Sequence, residues 1–186
     1  MTISPDKPLL MVDIDGVISL FGSPGHAATW AGAGDREPDG AAADGAAGAA
    51  AGSFHSIDGM PHFLSSTAAA HLLGLSEHFD LVWASGWEER AEEHLPRLLG
   101  LPAGLPFLRF ERSPGRANAH WKLEAIDAYA GTRPLAWIDD AFNEACHEWA
   151  SQRPAPTLLV RTVPEDGLTS REAQLLQEWA QERSQA

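Results

Sequence analysis

Leu9-Leu10-Met11-Val12-Asp13-Ile14-Asp15-Gly16-Val17 is an apolar run that ends in two carboxylates one residue apart. A parallel strand buried on both faces is written as such a continuous apolar run. Ligands of open α/β sheets bind beyond the carboxyl ends of the strands, where Asp13 and Asp15 would stand. Gly16 would let the chain turn sharply just past them. Asp and Gly after a strand also mark ordinary turns, so the reading depends on what the rest of the chain supplies.

Three later features supply it. Leu81-Val82-Trp83-Ala84-Ser85-Gly86 is a second apolar run, ending in a hydroxyl; Lys122 lies near the start of a helical pattern; and Leu135-Ala136-Trp137-Ile138-Asp139-Asp140 is a third apolar run, ending in paired acids. This order resembles the four motifs of the haloacid dehalogenase-like (HAD) phosphohydrolase superfamily, over the span from Leu9 to Asp140. The first strand, Trp87 after the second motif, and the segments Trp137-Ile138-Asp139-Asp140, Thr157–Val160 and Gly167–Thr169 further resemble the HAD domains grouped with Swiss Army Knife RNA-repair proteins.

The 186 residues, 44% of them hydrophobic, fit one domain, 1–186, with a real core. A formal net charge of −13 opposes the basic stripe of a nucleic-acid binder; Arg109, Arg112 and Arg116 are a local exception, read as a solvated loop. Cys146 is the only cysteine, which excludes an internal disulfide, and it falls in a helical pattern as a packed thiol. The N-terminus does not read as a signal peptide, and no run approaches the roughly 20 apolar residues that span a bilayer. The expectation is a cytoplasmic protein without a membrane partner.

Along the chain, the Ala- and Gly-rich tract from Ala27 to Gly52 cannot bury enough apolar area to offset its ordering entropy. It reads as the body of a flexible, low-complexity insertion over residues 22–59. In the HAD resemblance that position belongs to a mobile flap or minimal cap over the active site. Ser65 or Ser66 would cap a helix with Ala69, Leu72 and Leu73 inward. Leu81–Ala84, Phe107–Phe110, Leu135–Ile138 and Thr157–Val160 read as further strands. Glu88–Leu99, ended by Gly100, His120–Ala130, stopped by Gly131, Ala141–Ser151, and Ser170 to about Glu182 with Leu175, Leu176 and Trp179 inward read as helices. Strands alternating with helices imply right-handed crossovers and a three-layer, Rossmann-like parallel sheet.

Hydrolysis of a phosphate monoester needs a barrier reduction on the order of 20 kcal/mol, so several groups must converge on one phosphoryl centre. The HAD resemblance implies Asp13 as nucleophile, forming an aspartyl-phosphate, and Asp15 as the acid that protonates the leaving oxygen and then activates water. Countercharge between carboxylate and phosphate calls for a hard, oxygen-seeking ion, Mg²⁺. Asp13, the backbone carbonyl of Asp15, and one of the pair Asp139 and Asp140 would bind it, with Asp140 direct and Asp139 outside it, or the two exchanged. Asn143 and Glu144 are candidates to orient the metal's waters. Ser85, Gly86 and nearby amides would hold phosphoryl oxygens, helped by the following helix N-terminus, and Lys122 would neutralise them and the nucleophile.

An EF-hand is excluded by Ser19, Phe21 and Pro24 in the loop, and a P-loop by the absence of any Gly-Lys pair. Eight histidines form no HExxH. Asp15 also argues against a dehalogenase, since the resemblance gives that branch no acid two residues after the nucleophile. The expected function is a Mg²⁺-dependent phosphatase acting on a small phosphometabolite or nucleotide. The alternatives are a nucleic-acid end phosphatase in RNA repair, disfavoured by net charge, and a non-catalytic metal-binding interaction module.

Overall fold

The structure, a computed structural model, describes residues 7–21, 51–111 and 118–184. Four parallel strands form the central sheet: β1 (Leu9–Val12), β5 (Asp80–Trp83), β6 (Leu135–Asp139) and β7 (Thr157–Arg161), in the order β5-β1-β6-β7. A second, antiparallel sheet joins β2 (Ser19–Leu20), β4 (Met60–Ser65) and β3 (Gly52–Ile57) in that order. The helices are α1 (Ser66–Leu75), α2 (Glu89–Leu99), α3 (Leu123–Ala130, entered through one 3₁₀ turn at His120–Lys122), α4 (Glu144–Gln152) and α5 (Ser170–Ser184).

Alternate residues of the parallel strands point to opposite faces. Leu10, Val12, Leu81, Trp83, Ala136 and Ile138 pack against Leu72 of α1, Leu95 of α2 and Leu176 of α5. Leu9, Met11, Val82, Leu135 and Trp137 pack against Ile126 of α3 and Cys146 of α4. With both faces covered, β1, β5 and β6 are buried along their whole length, which is why apolar residues dominate them; the edge strand β7 is only partly buried and ends on the exposed Arg161. The result is a Rossmann-like α/β fold, and no helix among the described residues is long and apolar enough to cross a membrane.

Ser65 caps α1, its hydroxyl accepting from the Ala68 amide at 3.1 Å. Gly100, with φ of 66°, ends α2 as expected. Helix α4 starts three residues later than Ala141, because Asn143 caps it by accepting from the Cys146 amide. Leu73 and Leu175, expected inward, are exposed; Ala68 and Ala180 take the buried positions on those helices.

Two larger differences concern strands. Phe107–Phe110 contributes only a single parallel bridge, Phe107 to Trp83. Beyond it the Phe110 amide donates to the Glu88 carboxylate, and upstream the Gly104 and Leu105 amides donate to Glu92, so side chains replace a ladder partner. The end of the expected insertion, residues 52–59, is strand β3 followed by a two-residue turn onto β4. Asp58 and Gly59 have φ of 51° and 77°, as a type I′ hairpin turn requires. The rest of that stretch, residues 22–50, lies outside the described residues.

Candidate active site

In chain order the sheet grows from β1 to β5 on one side and then crosses to β6 on the other. The switch point, where such folds open a crevice, is therefore the carboxyl end of β1. Asp13 stands there, its amide bonded to the Ile138 carbonyl at 3.0 Å, while the Ala84 amide bonds the Val12 carbonyl at 2.8 Å. The chain then reverses through Gly16, at φ of 74°, and Thr162 just beyond β7 fastens the turn by donating to the Gly16 carbonyl at 2.8 Å.

A cleft of about 380 Å³ opens at this point and brings together Asp13, Asp15, Ser85, Gly86, Lys122, Asp139 and Asp140. All the residues proposed from sequence for catalysis, substrate and metal line it. Asn143 and Glu144 do not: Asn143 caps α4 and meets His120 at 3.0 Å, and Glu144 faces solvent. Helix α2 is also not a free anion site, since it starts at Glu89 and carries Glu89 and Glu92 in its first turn.

Lys122 organises the floor. Its side chain reaches Asp13 at 3.0 Å and Asp139 at 2.6 Å, and it is only 3% exposed. One cation between two buried acids leaves an uncompensated negative charge, and the titration of the group follows from that. Burial alone would lower the Lys122 pKa, but Asp13 and Asp139 outweigh it and the net shift is upward. Asp139 is pushed up to about 6, first by burial and then by the charge on Asp13, with Lys122 and the Ala141 amide opposing. Burial and the same Asp13 charge raise Asp140.

Carboxylate oxygens of Asp13, Asp139 and Asp140 lie within 4.8 Å of one another. This all-oxygen set suits a hard divalent cation. Both Asp139 oxygens are already engaged, Oδ2 by Lys122 and Oδ1 by the Ala141 amide at 2.9 Å. Asp140 is half-buried and sits against Gly16, so Asp13 and Asp140 are the better direct donors. Arg161 pins the Asp140 loop from β7, donating to the carbonyls of Asp140 and Phe142. A Cβ at Gly16 would fall 2.6 Å from the Asp140 carboxyl carbon and would also occupy a strained φ. Gly16→Ala is therefore expected to cost about 1–3 kcal/mol and to weaken divalent-cation binding. Thermal melting and isothermal titration check both, and unchanged affinity would show that the contact does not position Asp140.

The walls were less visible in the sequence. Trp87 is buried and its indole N–H donates to Asp15 Oδ2 at 3.3 Å. His62 of β4 packs edge-on against Trp87 at 4.8 Å and meets the Ser19 hydroxyl at 3.0 Å. Phe21, Met60, Arg90, Asn118 and Trp121 complete the lining. Asp58-Gly59 between apolar stretches is the signal that would have revealed the hairpin carrying Met60 and His62. Of the basic cluster, Arg109 faces Glu88 and Glu89, and Arg112 and Arg116 lie outside the described residues. The Cys146 thiol is buried and donates to Asn143 Oδ1 at 3.3 Å, a packing role.

Set beside known proteins, the chain matches no protein-family model, no curated protein and no solved structure, so the reading of its chemistry rests on the geometry of this cleft.

Proposed function

We propose that the chain is a Mg²⁺-dependent phosphomonoester hydrolase of the haloacid dehalogenase type that acts on a small phosphorylated substrate. The observation that carries the reading is Lys122 bound at once to Asp13 and Asp139 at the switch point, beside a third carboxylate, Asp140. A structural ion pair needs neither a third carboxylate nor a cleft. A phosphoryl centre needs a nucleophile, countercharge and a proton donor in one place.

Mg²⁺, held by Asp13, Asp140 and the Asp15 carbonyl, would supply the charge that lets a phosphate dianion approach these acids. Asp13 forms its bond to phosphorus as the ester P–O bond breaks, and Asp15 gives its proton to the departing alkoxide. Asp15 then takes a proton from water, whose oxygen attacks phosphorus and releases Asp13 and inorganic phosphate. The Trp87 N–H donates to one Asp15 oxygen and so orients the carboxyl group within the cleft. Ser85, nearly fully buried beside Gly86, is placed to donate to phosphoryl oxygens, and Lys122 stabilises the nucleophile and the transferred group.

The test is phosphate release with and without Mg²⁺ by the native protein and by Asp15→Asn. The variant should keep its Mg²⁺ affinity and lose roughly 10²- to 10⁴-fold in rate. In the burst phase the loss should be smaller for p-nitrophenyl phosphate, whose leaving group needs little protonation. A variant that loses Mg²⁺ binding without leaving-group dependence would make Asp15 a side-chain ligand. If the native protein binds Mg²⁺ yet releases no phosphate from any ester, it is a metal-binding interaction module.

A further inference from the structure

The outer cleft is unlike its floor. Above the carboxylates it is lined by Phe21, Met60, Trp87 and Trp121, and Phe21 and Met60 are 41% and 61% exposed, among the few large apolar side chains left in water. Trp121 is next to Lys122 in sequence and in space, with the ammonium 5.5 Å from its ring centre. Phe110 braces that ring edge-on at 4.6 Å. At Gly86 no side chain stands across it; a Cβ there would lie 3.7 Å from the indole. Trp87 flanks the other side, since its N–H is bonded to Asp15. Both indoles line the cleft into which a leaving group protonated by Asp15 would depart.

Two polar atoms of this lining are buried without a hydrogen-bond partner among the described residues: Asn118 Oδ1, an acceptor, and Arg90 Nε, a donor. Such orphans are costly unless a ligand or water satisfies them. Cations, in contrast, are spent. Lys122 serves the two acids, and the Arg90 guanidinium is ion-paired to Asp58 at 2.5 Å.

From this lining we infer that the substrate is a phosphate monoester carrying a flat aromatic ring with hydrogen-bonding edges and a single phosphate, the chemistry of a nucleoside monophosphate, with Trp121 as its stacking surface. The inference rests on the phosphatase reading and specifies its substrate. A sugar phosphate lacking a base would leave the Trp121 face with no ring to stack on it. A diphosphate would bring a second anion to a cleft of four aspartates with no further unpaired cation among its described residues.

The experiment compares kcat/KM for AMP and glycerol phosphate in native protein, Trp121→Ala and Trp121→Phe, each with Mg²⁺ and with circular dichroism to verify folding. The native preference for AMP should be at least about tenfold. Trp121→Ala should shrink it by roughly 5- to 150-fold, the usual worth of one base stacked on an aromatic, and Trp121→Phe should restore most of it. Equal use of both esters by the native protein, or a preference undiminished in folded Trp121→Ala, overturns the inference and leaves the phosphatase reading standing. Binding is followed separately in Asp13→Asn by quenching of tryptophan fluorescence. Saturable quenching by AMP at concentrations at least tenfold below those needed for ADP or ribose 5-phosphate supports the inference even if no ester is turned over. Absence of saturable AMP quenching, or quenching by ADP at equal concentration, overturns it.

Discussion

Asp13→Asn is expected to remove turnover, with kcat falling by about 10⁴-fold or more, while the protein stays folded. The size of the loss follows from the role: an amide cannot form the acyl-phosphate bond, and loss of a nucleophile is among the largest single-residue effects in enzymes. The fold should tolerate the change because of the charge count at Lys122. Native Lys122 answers two acids, at 3.0 Å and 2.6 Å. Without the Asp13 charge it answers one, and Asp139 loses the neighbour that helps to raise its pKa. The melting temperature should therefore hold or rise, and acid quench after mixing with substrate should trap no phosphoenzyme. Native-like hydrolysis by this variant would end the aspartyl-phosphate mechanism.

Lys122→Met should do the reverse, with a loss of about 3–5 kcal/mol of stability as well as activity, because it strands two buried carboxylates without countercharge. The loss should depend on pH, with a definite sign. Asp139 has a folded-state pKa of about 6, above its ordinary value. Its protonated form therefore favours folding, an advantage fully present below the ordinary carboxylate pKa and lost as pH rises through about 6. Removing Lys122 takes away a charge that opposes this shift, so in the variant the proton is held to still higher pH. The stability deficit relative to the native protein should be larger at pH 8 than at pH 5, read from urea melts at the two values. A deficit equal at both would mean that Lys122 acts by packing its stem.

Residues with strong local signals were legible in the sequence. The apolar runs of β1, β5 and β6 could be read because both faces of the central sheet are covered, and with the strands placed, the residues just past their ends fell into one crevice. Lys122 became legible only through the order of the four motifs, as nothing local distinguishes it from a surface lysine. Edge and wall elements were harder. The 107–110 segment has a strand's composition but ends as one bridge, since Glu88 and Glu92 take its neighbours' amides, a contact between side chain and backbone that no periodicity records. The hairpin of β3 and β4 was absorbed into the low-complexity stretch before it, although Asp58-Gly59 marked its turn. Asn118 and Trp121 carry no pattern at all; their place in the cleft is a product of tertiary packing.

The fastening of the Gly16 turn by Thr162 spans 146 positions of the chain. Synthesis proceeds from the N-terminus at roughly 5–20 residues per second, so Asp13 and Asp15 leave the ribosome many seconds before Thr162 and Arg161 can follow. Over that interval the acids lack both the clamp on their turn and the guanidinium that fixes the Asp140 loop. Until the last strand of the parallel sheet arrives, the nascent chain therefore lacks the two contacts that fasten the crowded negative centre.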